Sequence, residues 1–254
     1  MNGGSRTYRV EAIVLRRRDL GETDRIVTLF TLEHGKLDAV AKGARGARGR
    51  LAAASEPGTW FTGLLARGQS LEVVAQAQVK RVLTAARTDL MRLSYACHLL
   101  EITGAGIDSA QPMPDLWKLL RAALLAVETA EQPAMLARAF ELRALSMMGF
   151  EPQWSHCVED GEPLPAGGAY FHPRLGGALC RSCADSRPGF VLLGRETVSV
   201  LDRLVSQPLS TSAGMQASPR VQSELFRCLV PYIRHHLAVE LRSLSVIPEL
   251  TGHG

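Results

Sequence analysis

Four residues in the third quarter of the chain have the spacing of a metal site. Cys157-Val-Glu-Asp160 is followed, nineteen residues later, by Cys180-Arg-Ser-Cys183. Two ligand pairs, each with two residues between its members and with a loop of about 15–20 residues between the pairs, form the pattern of a zinc ribbon, in which each pair makes a turn presenting both side chains to one tetrahedral ion. Asp160 stands where a fourth thiolate would ordinarily be. Its oxygen is a harder donor than sulfur, so His156 and His172 compete for that corner. The alternative is that Cys180 and Cys183 are ordinary thiols in a loop. A catalytic ion would need an acid-base carboxylate, and the chain has neither a His-x-Glu nor a His-Glu-x-x-His. The expected role of the ion is to fold a segment with few apolar residues of its own.

A second concentration of chemistry lies in the first third. Residues 1–87 hold 15 Lys+Arg against 8 Asp+Glu, a net of +7, while residues 88–254 hold 14 against 17, a net of −3. Only Lys36, Lys42, Lys80 and Lys118 are lysines. Arginine binds phosphate bidentately and stacks on bases, although a GC-rich genome also produces arginine without selection for binding. The densest run is Gly43-Ala-Arg-Gly-Ala-Arg-Gly-Arg50 with Lys42 before it: Lys42, Arg45, Arg48 and Arg50, and no acid between Asp38 and Glu56. Four cations in nine residues repel one another, which a plain connecting loop has no reason to tolerate. With Arg16, Arg17, Arg18, Arg25, Lys36, Lys80 and Arg81 they form a basic set able to follow a phosphate backbone. Tyr8, Phe30, Trp60 and Phe61 could offer stacking surfaces or fill the core.

Other chemistries lack their residues. Neither a Gly-x-x-x-x-Gly-Lys-Ser/Thr nor a Gly-x-Ser-x-Gly occurs, and Gly104-Ala-Gly106 follows a helical pattern rather than a strand. Cys97 and Cys228 sit at apolar-periodic helix positions, which reads as core packing. His98, His235 and His236 lack a partner spacing and read as solvated or capping.

Five strands must position the cations: 8–16, 25–31, 36–41, 59–66 and 71–80, the second and third joined through His34-Gly35. A small β-barrel of the oligonucleotide-binding type covers the edges of five such strands economically. The stretch 43–55 reads as a flexible loop. After Arg87 the period becomes helical, with Leu90, Leu93, Cys97 and Leu100 on one face and Asp89 as cap; further helices are expected over 115–128, 133–148 and 195–205. Val221, Leu225, Leu229, Ile233, Leu237 and Leu241 repeat at i+4, a long buried stripe on one helix with Pro231 as a kink, and 206–218 reads as a polar loop. The expected fold is therefore α+β and multidomain: a five-stranded OB-type barrel over 1–84, a helical domain over 85–150, a zinc-ribbon-like insertion over 151–188, and the rest of the helical domain over 189–254.

At 254 residues and 46% hydrophobic, the chain can bury one large or two modest cores. It has no apolar run of about 20 residues, and its first ten residues carry no apolar stretch followed by a cleavage site. A cytoplasmic protein with reduced thiols is expected, with neither a membrane nor a small-molecule substrate as partner.

Taken in order, these features resemble the RecO family of bacterial recombination mediators. The resemblance rests on Tyr8-Arg-Val-Glu-Ala-Ile-Val-Leu15, Gly21-Glu-Thr-Asp-Arg-Ile-Val-Thr-Leu-Phe30, Gly35-Lys-Leu37, Lys42-Gly-Ala-Arg45, the stretch from Leu145 to Phe150 leading into Cys157, and Gly176-Gly-Ala-Leu-Cys-Arg-Ser-Cys183. It covers nearly the whole chain. It implies a barrel, a helical domain and an inserted zinc ribbon; binding of single- and double-stranded DNA; annealing of strands, including those coated by single-strand binding protein; and loading of RecA together with RecR, without catalysis. Placed on this sequence, DNA binding falls on Arg16, Arg25, Lys42, Arg45, Arg48 and Arg50, and one structural zinc on Cys157, Asp160, Cys180 and Cys183. Asp160 is a departure, since zinc-binding members usually have cysteine there. The competing reading is a zinc-ribbon RNA-binding or transcription-associated factor without annealing activity; a metal-dependent hydrolase lacks a base.

Overall fold

The computed structural model describes residues 7–46, 49–108, 110–164, 167–245 and 247. Arg48 lies outside the described residues. The chain divides into two compact units, Met1–Glu128 and Thr129–Gly254.

The first unit is built on the five expected strands, β1 (Thr7–Leu20), β2 (Asp24–Thr31), β3 (Gly35–Ala41), β4 (Trp60–Ala66) and β5 (Glu72–Arg81), closed in the order β1-β2-β3-β5-β4. Closure depends on β1 serving two neighbours. Its first half pairs with β4 and its second half with β2, and the register shifts between Val14 and Arg16 where it bends. A short parallel pairing of Ala39–Val40 with Glu72–Val73 completes the ring. Val10, Ala12, Val14, Val27, Leu29, Ala39, Phe61, Leu65 and Val74 fill the interior. Ala12, Ala39 and Ala41 leave room for Phe61, so the barrel is packed rather than hollow.

Helices α1 (Thr84–Thr88), α2 (Leu90–Gly106) and α3 (Pro114–Val127) complete this unit. They cover the outer face of the strands: Ile13 and Phe30, on the other face from the barrel core, are fully buried as well. Trp117 of α3 donates its Nε1–H to the Phe30 carbonyl at 3.0 Å. Asp89 caps α2 as expected, accepting from the Arg92 amide at 3.1 Å. The expected face of α2 is corrected, however. Of the four expected positions Leu100 is buried, but Leu90, Leu93 and Cys97 are exposed, and Tyr95, Ala96, His98, Leu99 and Ile102 are buried instead. Apolar residues are spread around the helix, interspersed with Arg92, Ser94, His98 and Glu101, so periodicity could not choose its face. Cys97 is thus not a core residue, and His98, fully buried, is not a solvated one.

In the second unit α4 (Pro133–Met147) is the central helix, buried on nearly every side, with an ion pair between Arg138 and Glu141 at 2.8 Å. Around it lie α6 (Arg195–Ser206), α7 (Leu209–Ala213) and α8 (Pro219–His236). Helix α7 corrects the polar-loop reading of 206–218; five residues are too few to show a period, and packing on α4 holds them helical. Helix α8 runs through Pro231 but ends at His236, because Ala238 takes φ +48°. Leu237 and Leu241 therefore lie beyond it, although both are buried. Between α4 and α6 the chain forms a small sheet, β6 (Ala169–His172), β7 (Gly177–Leu179) and β8 (Val191–Leu193) in the order β7-β6-β8, with the one-turn helix α5 (Arg181–Ser186). Trp154 stacks on Phe171 at 4.5 Å, Phe171 packs on Tyr232, and the Tyr232 hydroxyl donates to the Phe150 carbonyl at 2.8 Å, which ties this insertion to α8.

Candidate nucleic-acid interface and metal site

The loop between β3 and β4 carries the cation run, and its described part is pinned rather than free. Ala44 and Ala54 are buried in the barrel core. The Arg45 amide donates to the Thr23 carbonyl at 2.9 Å, and the Gly43 amide donates to Asp24 Oδ1 at 2.8 Å, an interaction that holds the Asp24 carboxyl below its ordinary range. Both glycines serve geometry. Gly43 takes φ +66°, and a Cβ on Gly49 would lie 2.2 Å from the Gly43 carbonyl oxygen. The flexible-loop expectation is therefore corrected for the described residues: alanines anchor the loop in the core and glycines fold it back on itself.

With its backbone held, the loop sends Lys42, Arg45 and Arg50 to the surface. Arg45 also reaches the Gly21 carbonyl in the β1–β2 turn and lies 3.5 Å from Asp19. Lys42, Arg50 and Arg9 line an open groove of about 1060 Å³ along β5. The two carboxylates in this groove have internal partners. Glu33 accepts from the Glu11 amide at 3.0 Å, and Glu11 accepts from Trp60 Nε1–H at 2.9 Å. Arg16 is exposed, its Nε–H donating to Thr28 Oγ1 at 2.9 Å, and the Thr28 hydroxyl donates to Asp38 at 2.5 Å; this polar chain across β1, β2 and β3 fixes the direction of the guanidinium.

Arg25 occupies a different setting. Only 13% of its side chain is exposed; it donates to Ser55 Oγ at 2.8 Å and to Glu56 at 2.9 Å, with Asp19 at 3.8 Å. Arg17 also pairs with Glu56. Arg25 thus anchors the far end of the loop to β2. Lys36 reaches inward as well, its Nζ donating to the Gly104 carbonyl at 2.8 Å, and burial holds its pKa below the ordinary lysine value. Sequence reasoning missed the counter-charges Asp19 and Glu56, whose signal was their position flanking the cations. Among the aromatics, Phe30 and Phe61 are fully buried and cannot stack on bases. Tyr8 packs edge-on against His34, and Trp60 lies beside Trp117 with the Arg121 guanidinium 4.9 Å from its ring centre.

In the second unit the four spaced residues do converge. One ligand atom from each of Cys157, Asp160, Cys180 and Cys183 lies within 4.8 Å of all the others. The turn at Gly161, with φ +78°, lets the Gly161 amide donate to the Cys157 carbonyl at 2.9 Å and so brings Asp160 back toward Cys157. Cys180 caps α5, and Cys183 follows one turn later. The Cys180 and Cys183 thiols donate to Asp160 Oδ2 at 3.1 and 3.2 Å. The Glu162 amide donates to the other oxygen at 3.0 Å and is the largest cause of the lowered Asp160 pKa, with the thiols adding to it; the same carboxylate pushes the Cys183 thiol up. Ligands about 2.0–2.3 Å from a tetrahedral ion lie about 3.3–3.8 Å apart, so this donor set fits a metal ion with small adjustments. His156 and His172 are not part of it. His156 Nδ1 lies 2.9 Å from Ser155 Oγ, and His172 Nε2–H donates to the Pro188 carbonyl at 3.3 Å.

Comparison with known proteins covers nearly the whole chain. The family model described as Recombination protein O N terminal matches residues 5–83, and the one described as Recombination protein O C terminal matches residues 87–245. The chain belongs to the RecO family. The DNA repair protein RecO of Symbiobacterium thermophilum is 34% identical over 246 residues, covering 96% of this chain and 97% of the relative. That of Moorella thermoacetica is 33% identical over 246 residues, covering 96% and 92%, and that of Anaeromyxobacter sp. (strain K) is 34% identical over 244 residues, covering 95% and 96%. RecO membership places the chain in DNA repair and recombination. Among the described residues no helix is long and apolar enough to cross a membrane.

Proposed function

We propose that the chain is a non-catalytic, cytoplasmic DNA-binding mediator that anneals complementary single strands, including strands coated by single-strand binding protein, and that with RecR it helps load the RecA recombinase. The observation that carries this reading is the pinned loop after β3, which holds Lys42, Arg45 and Arg50 outward, with Lys42 and Arg50 lining the open groove along β5 together with Arg9. Annealing makes no covalent bond. It requires that two polyanions approach, and a surface that neutralises phosphates while leaving base edges free lowers that barrier. The interface cations are Arg16, Lys42, Arg45 and Arg50, with Arg48 of the same run; Arg25, among the residues expected to bind DNA, acts by holding the loop. The ion at Cys157, Asp160, Cys180 and Cys183 is zinc in this reading, because three thiolates select a soft or borderline ion, and its role is structural.

The test is annealing of two complementary oligonucleotides by the purified chain, alongside a variant with Lys42, Arg45 and Arg50 changed to alanine. Loss of annealing in a variant that melts like the parent is expected. Unchanged annealing would move the interface elsewhere, and preference for RNA without annealing would favour the transcription-associated alternative.

A further inference from the structure

The second unit has its own basic groove, of about 580 Å³, lined by His172, Arg174, Pro188, Pro231, Arg234 and His235 among others. Three separate stretches of chain build it: the turn after β6, the turn before β8 and the last turns of α8. Its walls are fixed by hydrogen bonds. His236 Nε2–H donates to the Pro173 carbonyl at 3.1 Å, His172 Nε2–H donates to the Pro188 carbonyl at 3.3 Å, and the Leu175 amide donates to His172 Nδ1 at 3.3 Å. Among the described residues no carboxylate lines the groove, and neither the Arg174 nor the Arg234 guanidinium has a hydrogen bond or ion pair. This local excess stands out in a unit where Asp and Glu slightly outnumber Lys and Arg. Basic residues at the end of α8 also offset its dipole. That accounts for Arg234 and His235 but not for Arg174, which comes from the turn after β6 and faces the same space.

We propose that this groove binds the backbone of a second single strand of nucleic acid, apart from the strand held by the barrel. The proposal rests on the nucleic-acid reading above. Two unpaired guanidiniums in one groove suit successive phosphates, each offering bidentate contacts. The proline rings provide apolar surface for a sugar, and the exposed His235 imidazole provides a flat ring on which an unpaired base can stack. The volume is of the size that accommodates a nucleotide-sized ligand, in the range of about 300–1,000 Å³. A protein that anneals must hold two strands at once, and a site in each unit provides for that without new chemistry.

The experiment measures how many non-complementary strands the full-length chain binds, using labelled oligothymidylate at low salt in a stoichiometric titration. The parent should bind two strands per chain. Arg174→Ala/Arg234→Ala should lose the weaker event by about tenfold or more, since two charge-assisted contacts are removed, with the tighter event changed by less than twofold. Arg174→Lys/Arg234→Lys should restore part of it, which a merely structural role would not produce. One strand per chain in the parent, or two in the alanine variant with unchanged affinities, would overturn the proposal while leaving the barrel reading intact. Absence of any binding by the parent would instead overturn the nucleic-acid reading itself.

Discussion

Replacing Asp160 tests the metal site more sharply than replacing a cysteine, because the two substitutions that matter have opposite expected signs. The insertion has little core of its own: Cys157, Leu179 and Ala184 are its buried cluster, with Val158, Leu164, Tyr170 and Phe190 packed around it. An ion bound there would then contribute a large share of local stability. With free zinc about 100-fold above its dissociation constant, binding adds about 2.7 kcal/mol. For a unit of this size that corresponds to about 10 °C in melting temperature, so a chelator should lower the second unit's transition by that amount. Asp160→Ala removes one of four donors. A loss of about 100-fold in affinity leaves the zinc contribution at about 0.4 kcal/mol, and this variant should melt like the chelated parent. Asp160→Cys supplies a thiolate, a softer donor better matched to zinc, at the cost of the bond from the Glu162 amide, worth about 1 kcal/mol. It should keep or exceed the parent's melting temperature with zinc and fall below it after chelation. The assay is calorimetric melting with and without chelator, together with the visible spectrum of the cobalt(II) form, which reports a tetrahedral thiolate site. Melting of the parent unaffected by chelation, or equal cobalt affinity in parent and Asp160→Ala, would refute the reasoning.

Three further outcomes are expected. Gly63→Ala places a Cβ 2.3 Å from the Gln76 carbonyl oxygen, forcing β4 and β5 apart, and should cost about 1–3 kcal/mol in urea unfolding; an unchanged midpoint would contradict the register described. Glu128, almost fully buried, accepts from the Thr84 and Ala86 amides at 3.0 and 2.9 Å and so caps α1, and Glu128→Ala should speed hydrogen exchange at those two amides and cost about 2–3 kcal/mol. Asp19→Asn releases Arg45 and Arg25 from an exposed carboxylate at 3.5 and 3.8 Å, and should tighten single-strand binding by about two- to fivefold at low salt, the scale of one exposed ion pair; weaker binding would show that Asp19 shapes the loop instead of competing with phosphate.

Most of the barrel was legible in the sequence because its strands carry their own signals: β-branched and apolar residues bounded by Gly21, Gly35 and Gly68. The four converging residues Cys157, Asp160, Cys180 and Cys183 were legible from spacing alone, while the choice of Asp160 over His156 and His172 needed the turn at Gly161. What stayed hidden depends on tertiary packing. The apolar residues around α2 gave no preferred side, so Cys97 and His98 were assigned to the wrong environments. Helix α7 is too short to have a period, and the i+4 series beyond His236 continues through residues that are buried without being helical. Among the cations, composition marked all of them equally. Only geometry separates Arg25, shut in by Glu56 and Ser55, from Lys42 and Arg50 in the open groove.

The claim on which the rest depends is that cations on the barrel bind nucleic acid through its phosphates. The dependence of single-strand affinity on salt measures this directly, because each phosphate neutralised adds about 0.7 to the negative slope of log affinity against log salt. The parent should show a steep slope with little preference for base sequence, and changing Lys42, Arg45 and Arg50 to alanine should reduce the slope by about 2. An affinity insensitive to salt, or a slope unaltered in that variant, would contradict the account.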